Sequence, residues 1–173
     1  MSDLLLKRLA RRRVRLGFVT ALVALAFAAP TWVSWQAGLL IAIAGEVLRV
    51  WAAGHLNKAR EVTRSGPYRF VPHPLYVGSG IMAIGAVVAA RSVVVGVAIA
   101  VYMTVTITAA VLTEEADLRR AFGSAYDDYR ASTGTPAPRA FSLERVRRNR
   151  EYRALLGLGA GFGLLALKLI SLI

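Results

Sequence analysis

Long apolar runs broken by short polar or basic connections are the dominant pattern along this chain, and the pattern occurs five times. Residues 16–32, 36–55, 75–90, 92–112 and 154–173 form apolar runs of 16 to 21 residues. A helix needs about 20 such residues to cross a hydrocarbon layer of roughly 30 Å. The third run is short and must borrow from its flanks. The pattern predicts an all-α polytopic membrane protein of about five transmembrane helices, in a single integral membrane domain over residues 1–173.

The connections differ in length and charge. The first, near Pro30 to Trp35, is short and uncharged, and Arg91 marks a similarly tight turn between the third and fourth runs. Such turns make consecutive spans antiparallel neighbours. The remaining length lies in two polar connections, and surface connections are where function concentrates.

Composition sharpens the membrane reading. Of 173 residues, 56% are hydrophobic and 18% charged, whereas a soluble domain carries about a quarter charged. The net charge of +12 would raise nucleic-acid binding in a soluble chain. Its distribution decides otherwise. Six Lys or Arg lie in residues 1–15, four in 57–74 and nine in 113–153, with Arg49, Arg91 and Lys168 elsewhere. Positive charge on alternate connections predicts a cytoplasmic N-terminus, two cytoplasmic loops and an outer C-terminus. In a bacterial cell the membrane would be the inner one. Basic residues flanking spans also attract anionic lipid headgroups.

A basic start followed by an apolar stretch ending near Ala26-Phe27-Ala28 also fits a cleavable signal peptide, which would leave four spans. Continuation of the run through Trp32 to Trp35, in the manner of an interfacial anchor, favours retention. The absence of cysteine excludes disulfides, thiolate nucleophiles and Cys-based metal sites, and no metal cluster is expected.

Several residues stand out against the apolar background. Glu46 and Arg49 are three apart inside the second run, hence on one helix face. Ionisable residues at membrane depth mark functional sites by default, although Arg49 near a span end can also snorkel with Glu46 as its partner. The segment from Ser65 to Gly80 holds Pro67, Pro72 and Pro74, which deny it continuous helix and set His73 in a rigid turn. Tyr76 follows one turn on. Gly78 and Gly80 strip side chains from the start of the third span, opening it to a ligand or to another helix. Glu114 and Glu115 end the fourth run, beside the start of the third by the tight-turn argument. Beyond them Phe122, Tyr126 and Tyr129 share a face of an amphipathic helix suited to lid the pocket between them.

Taken in order, these motifs resemble the integral-membrane isoprenylcysteine carboxyl methyltransferases and their phospholipid methyltransferase relatives. The matching residues are Gly45-Glu46-Val47-Leu48-Arg49, then Gly66-Pro67-Tyr68-Arg69 through His73-Pro74-Leu75-Tyr76-Val77-Gly78, then Glu114-Glu115 through Leu118 to Phe122-Gly123, Tyr126 and Tyr129. They span residues 45–138 as the methyltransferase core. Pro72 stands where the family usually has Arg, and Thr106 to Thr113 where it often has a basic residue.

The resemblance implies S-adenosylmethionine as methyl donor, in a cytoplasmic pocket formed by helix ends and the C-terminal cytoplasmic segment. It implies Tyr68, His73, Tyr76, Gly78, Gly80 and Glu115 as cofactor-binding residues, and Arg49 and Glu114 as catalytic residues near the acceptor and the transferring methyl. The acceptor would be amphiphilic, its tail in the bilayer. O-methylation of a lipid-linked carboxylate gripped by Arg49 is the first expectation. N-methylation of a phospholipid headgroup or small amine, with Glu114 as base, is the alternative. A non-enzymatic scaffold or transporter would have to explain all these polar residues as packing.

Overall fold

The computed structural model describes residues 3–58, 60–131 and 138–171, with side chains from Arg15 onward. The basic side chains at Lys7, Arg8, Arg11, Arg12 and Arg13 therefore lie outside the described residues. Among those described, the chain forms α1 (Asp3–Phe27), α2 (Trp32–His55), α3 (Pro74–Ala90), α4 (Val93–Phe122), α5 (Ser124–Arg130), α6 (Leu143–Arg148) and α7 (Tyr152–Ser171), a 3₁₀ turn at Gly66–Arg69, and no strand. The protein is all-α. Helices α2, α4 and α7 are long and apolar enough to cross a membrane, while α3 and the Arg15–Phe27 part of α1 are shorter apolar helices.

Two boundaries differ from the sequence expectation, each for a local reason. The first helix stops at Phe27, short of Trp32, and Trp32 opens α2 instead. Thr31 and Ser34 form a reciprocal capping box, Thr31 Oγ1 accepting from Ser34 N at 3.2 Å and Ser34 Oγ from Thr31 N at 3.0 Å. That box satisfies the orphan amides of a new helix start just after Pro30. At the other boundary, α4 runs on past Leu112 to Phe122 and carries Glu114 and Glu115 on continuous helix. No proline or glycine stands between Leu112 and Gly123, whose φ of 51° ends the helix.

Glycine spacing explains how α2 and α3 pack. Gly38 and Gly45 on α2 are seven apart, as are Gly78 and Gly85 on α3, and the helices run antiparallel. A Cβ at Gly38 would stand 2.4 Å from Gly85 O, and one at Gly45 would stand 2.6 Å from Gly78 O. No side chain fits at either crossing, so the backbones meet directly, as in small-residue membrane interfaces. Outside this seam the helices are apolar outward: Val93, Val97 and Val101 of α4 are exposed, as a lipid-facing surface requires.

At one end of the bundle lie the tight turns. Arg91 turns α3 into α4 with φ 47°, and Lys168 Nζ donates to Leu25 O and Ala26 O at the end of α1, at 2.6 and 3.1 Å. A cation there complements the negative C-terminal pole of the helix.

The other end is closed by the segment leading to α7. Gly54 O accepts from Ser142 N at 3.1 Å and Arg145 Nε at 2.6 Å. His55 O accepts from Arg139 at 3.3 Å, and Asn149 Nδ2 donates to Ala53 O and Leu56 O at 2.9 and 3.0 Å. The free carbonyls that end α2 are thus satisfied by a distant part of the chain, which holds that part against the membrane helices.

Candidate functional site

At this second end a cavity of about 430 Å³ opens between the α2–α3 connection, the α3 start, the outer half of α4 and α5. Its size is that of a small-molecule site. Tyr68, His73, Tyr76, Glu114, Tyr126 and Tyr129 all border it. The proline-rich segment does this work locally: Gly66, at φ 58°, lies against the His55 ring, and the 3₁₀ turn after it buries Pro67 and Tyr68. Pro74 then starts α3 with His73 as its N-cap.

His73 lies between the two glutamates. Its Nε2 is 3.3 Å from Glu115 Oε1 and its Nδ1 is 3.7 Å from Glu114 Oε2. The Tyr76 ring packs 5.8 Å from the imidazole. Glu115 does not border the cavity; it stands behind His73, where Arg130 and Arg119 approach it at 3.5 and 3.7 Å. The two adjacent carboxylates therefore differ in setting. Glu114 faces the cavity, and Glu115 is embedded among cations.

Helix α5 forms one wall. Tyr126 is fully buried and Tyr129 Oη donates to Tyr68 O at 2.8 Å. Burial, with Glu114 nearby, holds the Tyr68 phenol well above the ordinary tyrosine range. Burial beside Tyr126 pushes Tyr129 up to about 12, and burial beside Glu115 raises Tyr126 as well. All three are neutral donors at physiological pH.

The remaining sequence candidates lie elsewhere. Gly78 is taken up by helix packing: a Cβ there would stand 2.5 Å from Arg49 Cγ and 2.7 Å from Gly45 O. Gly80 has nothing within 4 Å of a Cβ position and does not border the cavity. Arg49 borders a second, mainly apolar cavity of about 580 Å³ between α1, α3, α4 and α7, together with Ser79, Thr20 and Tyr102.

Arg49 is also heavily engaged. It pairs with Glu151 at 2.6 Å and approaches Glu46 at 3.6 Å. One of its terminal nitrogens donates to Leu75 O at 3.2 Å and to Ser79 Oγ. Glu46 and Glu151 are 3% and 4% exposed, so two buried carboxylates meet one partly buried guanidinium. Glu151 escapes a reading of the sequence because it lies within a basic run, Arg147-Arg148-Asn149-Arg150-Glu151-Tyr152-Arg153, where a lone acid reads as a solvated neighbour of its cations.

A family model described as phospholipid methyltransferase matches residues 18–125, more than half of the chain and from the first apolar helix into α5. The chain belongs to the phospholipid methyltransferase family. It is one of the two related groups that the ordered motifs resemble. Searches of curated proteins and of solved structures gave no match. Membership of this family makes the chain a membrane methyltransferase, in keeping with its apolar helices.

Proposed function

We propose that this member of the phospholipid methyltransferase family uses S-adenosylmethionine to methylate a lipid in the bilayer, with the donor held in the cavity at the basic end. The observation that carries the reading is His73 set between Glu114 and Glu115 in the wall of a cavity lined by tyrosines. The donor has a cationic sulfonium and ammonium, a carboxylate and an adenine. Glu114, with Asp117 beside it in the lining, suits the cationic groups, and tyrosine faces add cation–π attraction. The Tyr68 phenol and His73 offer hydrogen bonds, since the Tyr129 hydroxyl is already spent on Tyr68 O and Tyr126 is fully buried, and Ala109, Ala110 and Leu118 offer apolar surface to a base. His73, Tyr68, Tyr76 and Glu114 would touch the donor, while Glu115 would fix His73 from behind. Gly78 and Gly80 are left out of this set because the first is filled by Arg49 and the second lies off the cavity.

The donor supplies a methyl group on an already activated sulfur. The protein's task is then to align the acceptor and to manage one proton. For the acceptor, the occupied state of Arg49 favours the amine over the carboxylate. A guanidinium already paired with Glu151 and bonded to Leu75 and Ser79 has no free planar edge for a bidentate grip. Glu114 borders the cavity with its side chain 40% exposed, a position from which a carboxylate can take the proton that an ammonium must lose before its nitrogen attacks. The lining continues along α4 from Asp117 to Thr106, three turns deeper. An acceptor headgroup would reach the donor from the bilayer along that path.

The test is incubation of the detergent-solubilised protein with methyl-labelled donor and a lipid extract, followed by mild alkali. Label stable to alkali in the phospholipid fraction supports the amine acceptor, and label released as methanol identifies an ester and removes it. Absence of S-adenosylhomocysteine binding in calorimetry would overturn the donor assignment itself.

A further inference from the structure

We infer that Glu151, at the start of α7, is a positioning residue for the donor cavity, acting through Arg49 on the first turn of α3 and so on His73. The inference rests on the reading of that cavity as the donor site.

The path is short and buried. Glu151 is held where α6 turns into α7: its N donates to Val146 O at 3.2 Å, and its carbonyl accepts from Ala154 N at 2.9 Å. Arg150, at φ 60°, makes the turn that aims it inward. Its carboxylate meets Arg49 at 2.6 Å. The stem of Arg49 lies over Gly78, where no Cβ fits. From there it donates to Leu75 O and Ser79 Oγ, and Ser79 Oγ itself donates to Leu75 O at 2.9 Å. Leu75 is two residues after His73, with Pro74 fixing the backbone between them, and His73 O accepts from Tyr76 N and Val77 N at 3.0 and 3.2 Å. A shift at Leu75 is therefore carried to the His73 ring.

Packing alone does not call for this arrangement. Replacing buried charges with apolar groups of similar volume is often neutral or stabilising, and here two carboxylates surround one guanidinium. What the charges add is direction: the guanidinium is held by partners on α2, on α3 and in the turn before α7. In this way the last helix, which does not contribute to the lining of the donor cavity, sets the orientation of a residue that does.

The test is a double-mutant cycle in S-adenosylhomocysteine affinity, measured by calorimetry on solubilised full-length protein with Glu151→Gln, His73→Ala and both together. Groups coupled through one network are non-additive, so Glu151→Gln should weaken binding by at least about threefold alone and add no further loss in the His73→Ala background. A residue that merely supports the fold would give the same loss in both backgrounds, and that result overturns the inference. Unchanged affinity in Glu151→Gln, with His73→Ala weakened, overturns it while leaving the donor site standing. Unchanged affinity in His73→Ala removes the donor reading and the inference with it. Should the Gln variant not survive extraction, Glu151→Asp, which keeps the charge but withdraws it by one methylene, carries the same cycle with a smaller expected loss.

Discussion

At the residue scale, the buried Glu46–Arg49–Glu151 set and the cavity tyrosines make opposite demands on charge. Removing Arg49 would leave two carboxylates buried without a cation, and breaking such a set typically costs about 3–5 kcal/mol. Arg49→Met should therefore lower the thermal midpoint of the solubilised protein markedly. Glu46→Gln and Glu151→Gln added to it should restore much of the loss, because the fully neutral set carries no unpaired charge. A midpoint for Arg49→Met equal to that of the native chain would show that the pairing contributes nothing. The tyrosines give a prediction in pH. Burial raises the phenols of Tyr68, Tyr126 and Tyr129 above their unfolded value near 10, Tyr129 to about 12. A folded pKa above the unfolded one stabilises the fold below pH 10, and that contribution is lost as pH rises from 10 through 12. Spectrophotometric titration should thus show Tyr68, Tyr126 and Tyr129 ionising late, together with alkaline unfolding. Ionisation of all three near pH 10 with the fold intact would contradict it.

Among the elements, the α2–α3 seam is the most specified contact, and it was only half legible beforehand. Glycines at Gly78 and Gly80 were visible as small residues at the start of a span, open to a ligand or to a helix. The seven-residue spacing Gly38–Gly45 against Gly78–Gly85 is what separates the readings: it assigns Gly78 to the seam and leaves Gly80 off it. The limit of α2 at His55 was clear, whereas the one at Trp32 was wrong by several residues, where a capping box inside an apolar stretch starts a new helix, and the one at Leu112 by ten, because Glu114 and Glu115 continue the helix. The pairing of Glu151 with Arg49 was hidden because it depends on how the connection before α7 folds back onto the end of α2, which no local pattern encodes. The seam yields its own prediction. Gly45→Val places a branched side chain where even a Cβ would stand 2.6 Å from backbone oxygen, beyond the overpacking of about 1–3 kcal/mol that a core absorbs. It should sharply reduce the yield of extractable protein, whereas Gly80→Val, in open space, should extract like the native chain. Equal yields would mean that the helices do not meet as described.

For the whole molecule, the up-and-down order of the helices collects the long polar connections at one end. Short turns at Thr31 and Arg91 make α1 to α4 alternate in direction, and Lys168 on the end of α7 bonds the end of α1, so α7 rises beside α1. The α2–α3 connection, the glutamate end of α4, α5, α6 and the start of α7 consequently share one end, and the cavity lined by Tyr68, His73 and Glu114 lies there. These are also the connections that hold four and nine of the Lys and Arg residues, while the opposite end carries Arg91 and Lys168. Basic connections tend to stay on the cytoplasmic side, which predicts that the cavity end faces the cytoplasm. The absence of native cysteine makes this directly measurable. Single cysteines at Arg60 and Ala131, both exposed at the cavity end, and at Ala29, exposed in the short connection at the other end, report sidedness without further mutation. A membrane-impermeant maleimide added to intact cells should label Ala29→Cys and spare Arg60→Cys and Ala131→Cys, and inside-out vesicles should reverse the pattern. Labelling of Arg60→Cys and Ala131→Cys from opposite sides would break the fold's assignment of both connections to one end. Labelling of both from outside the cell would keep that assignment and invert the protein, placing the cavity away from the cytoplasm.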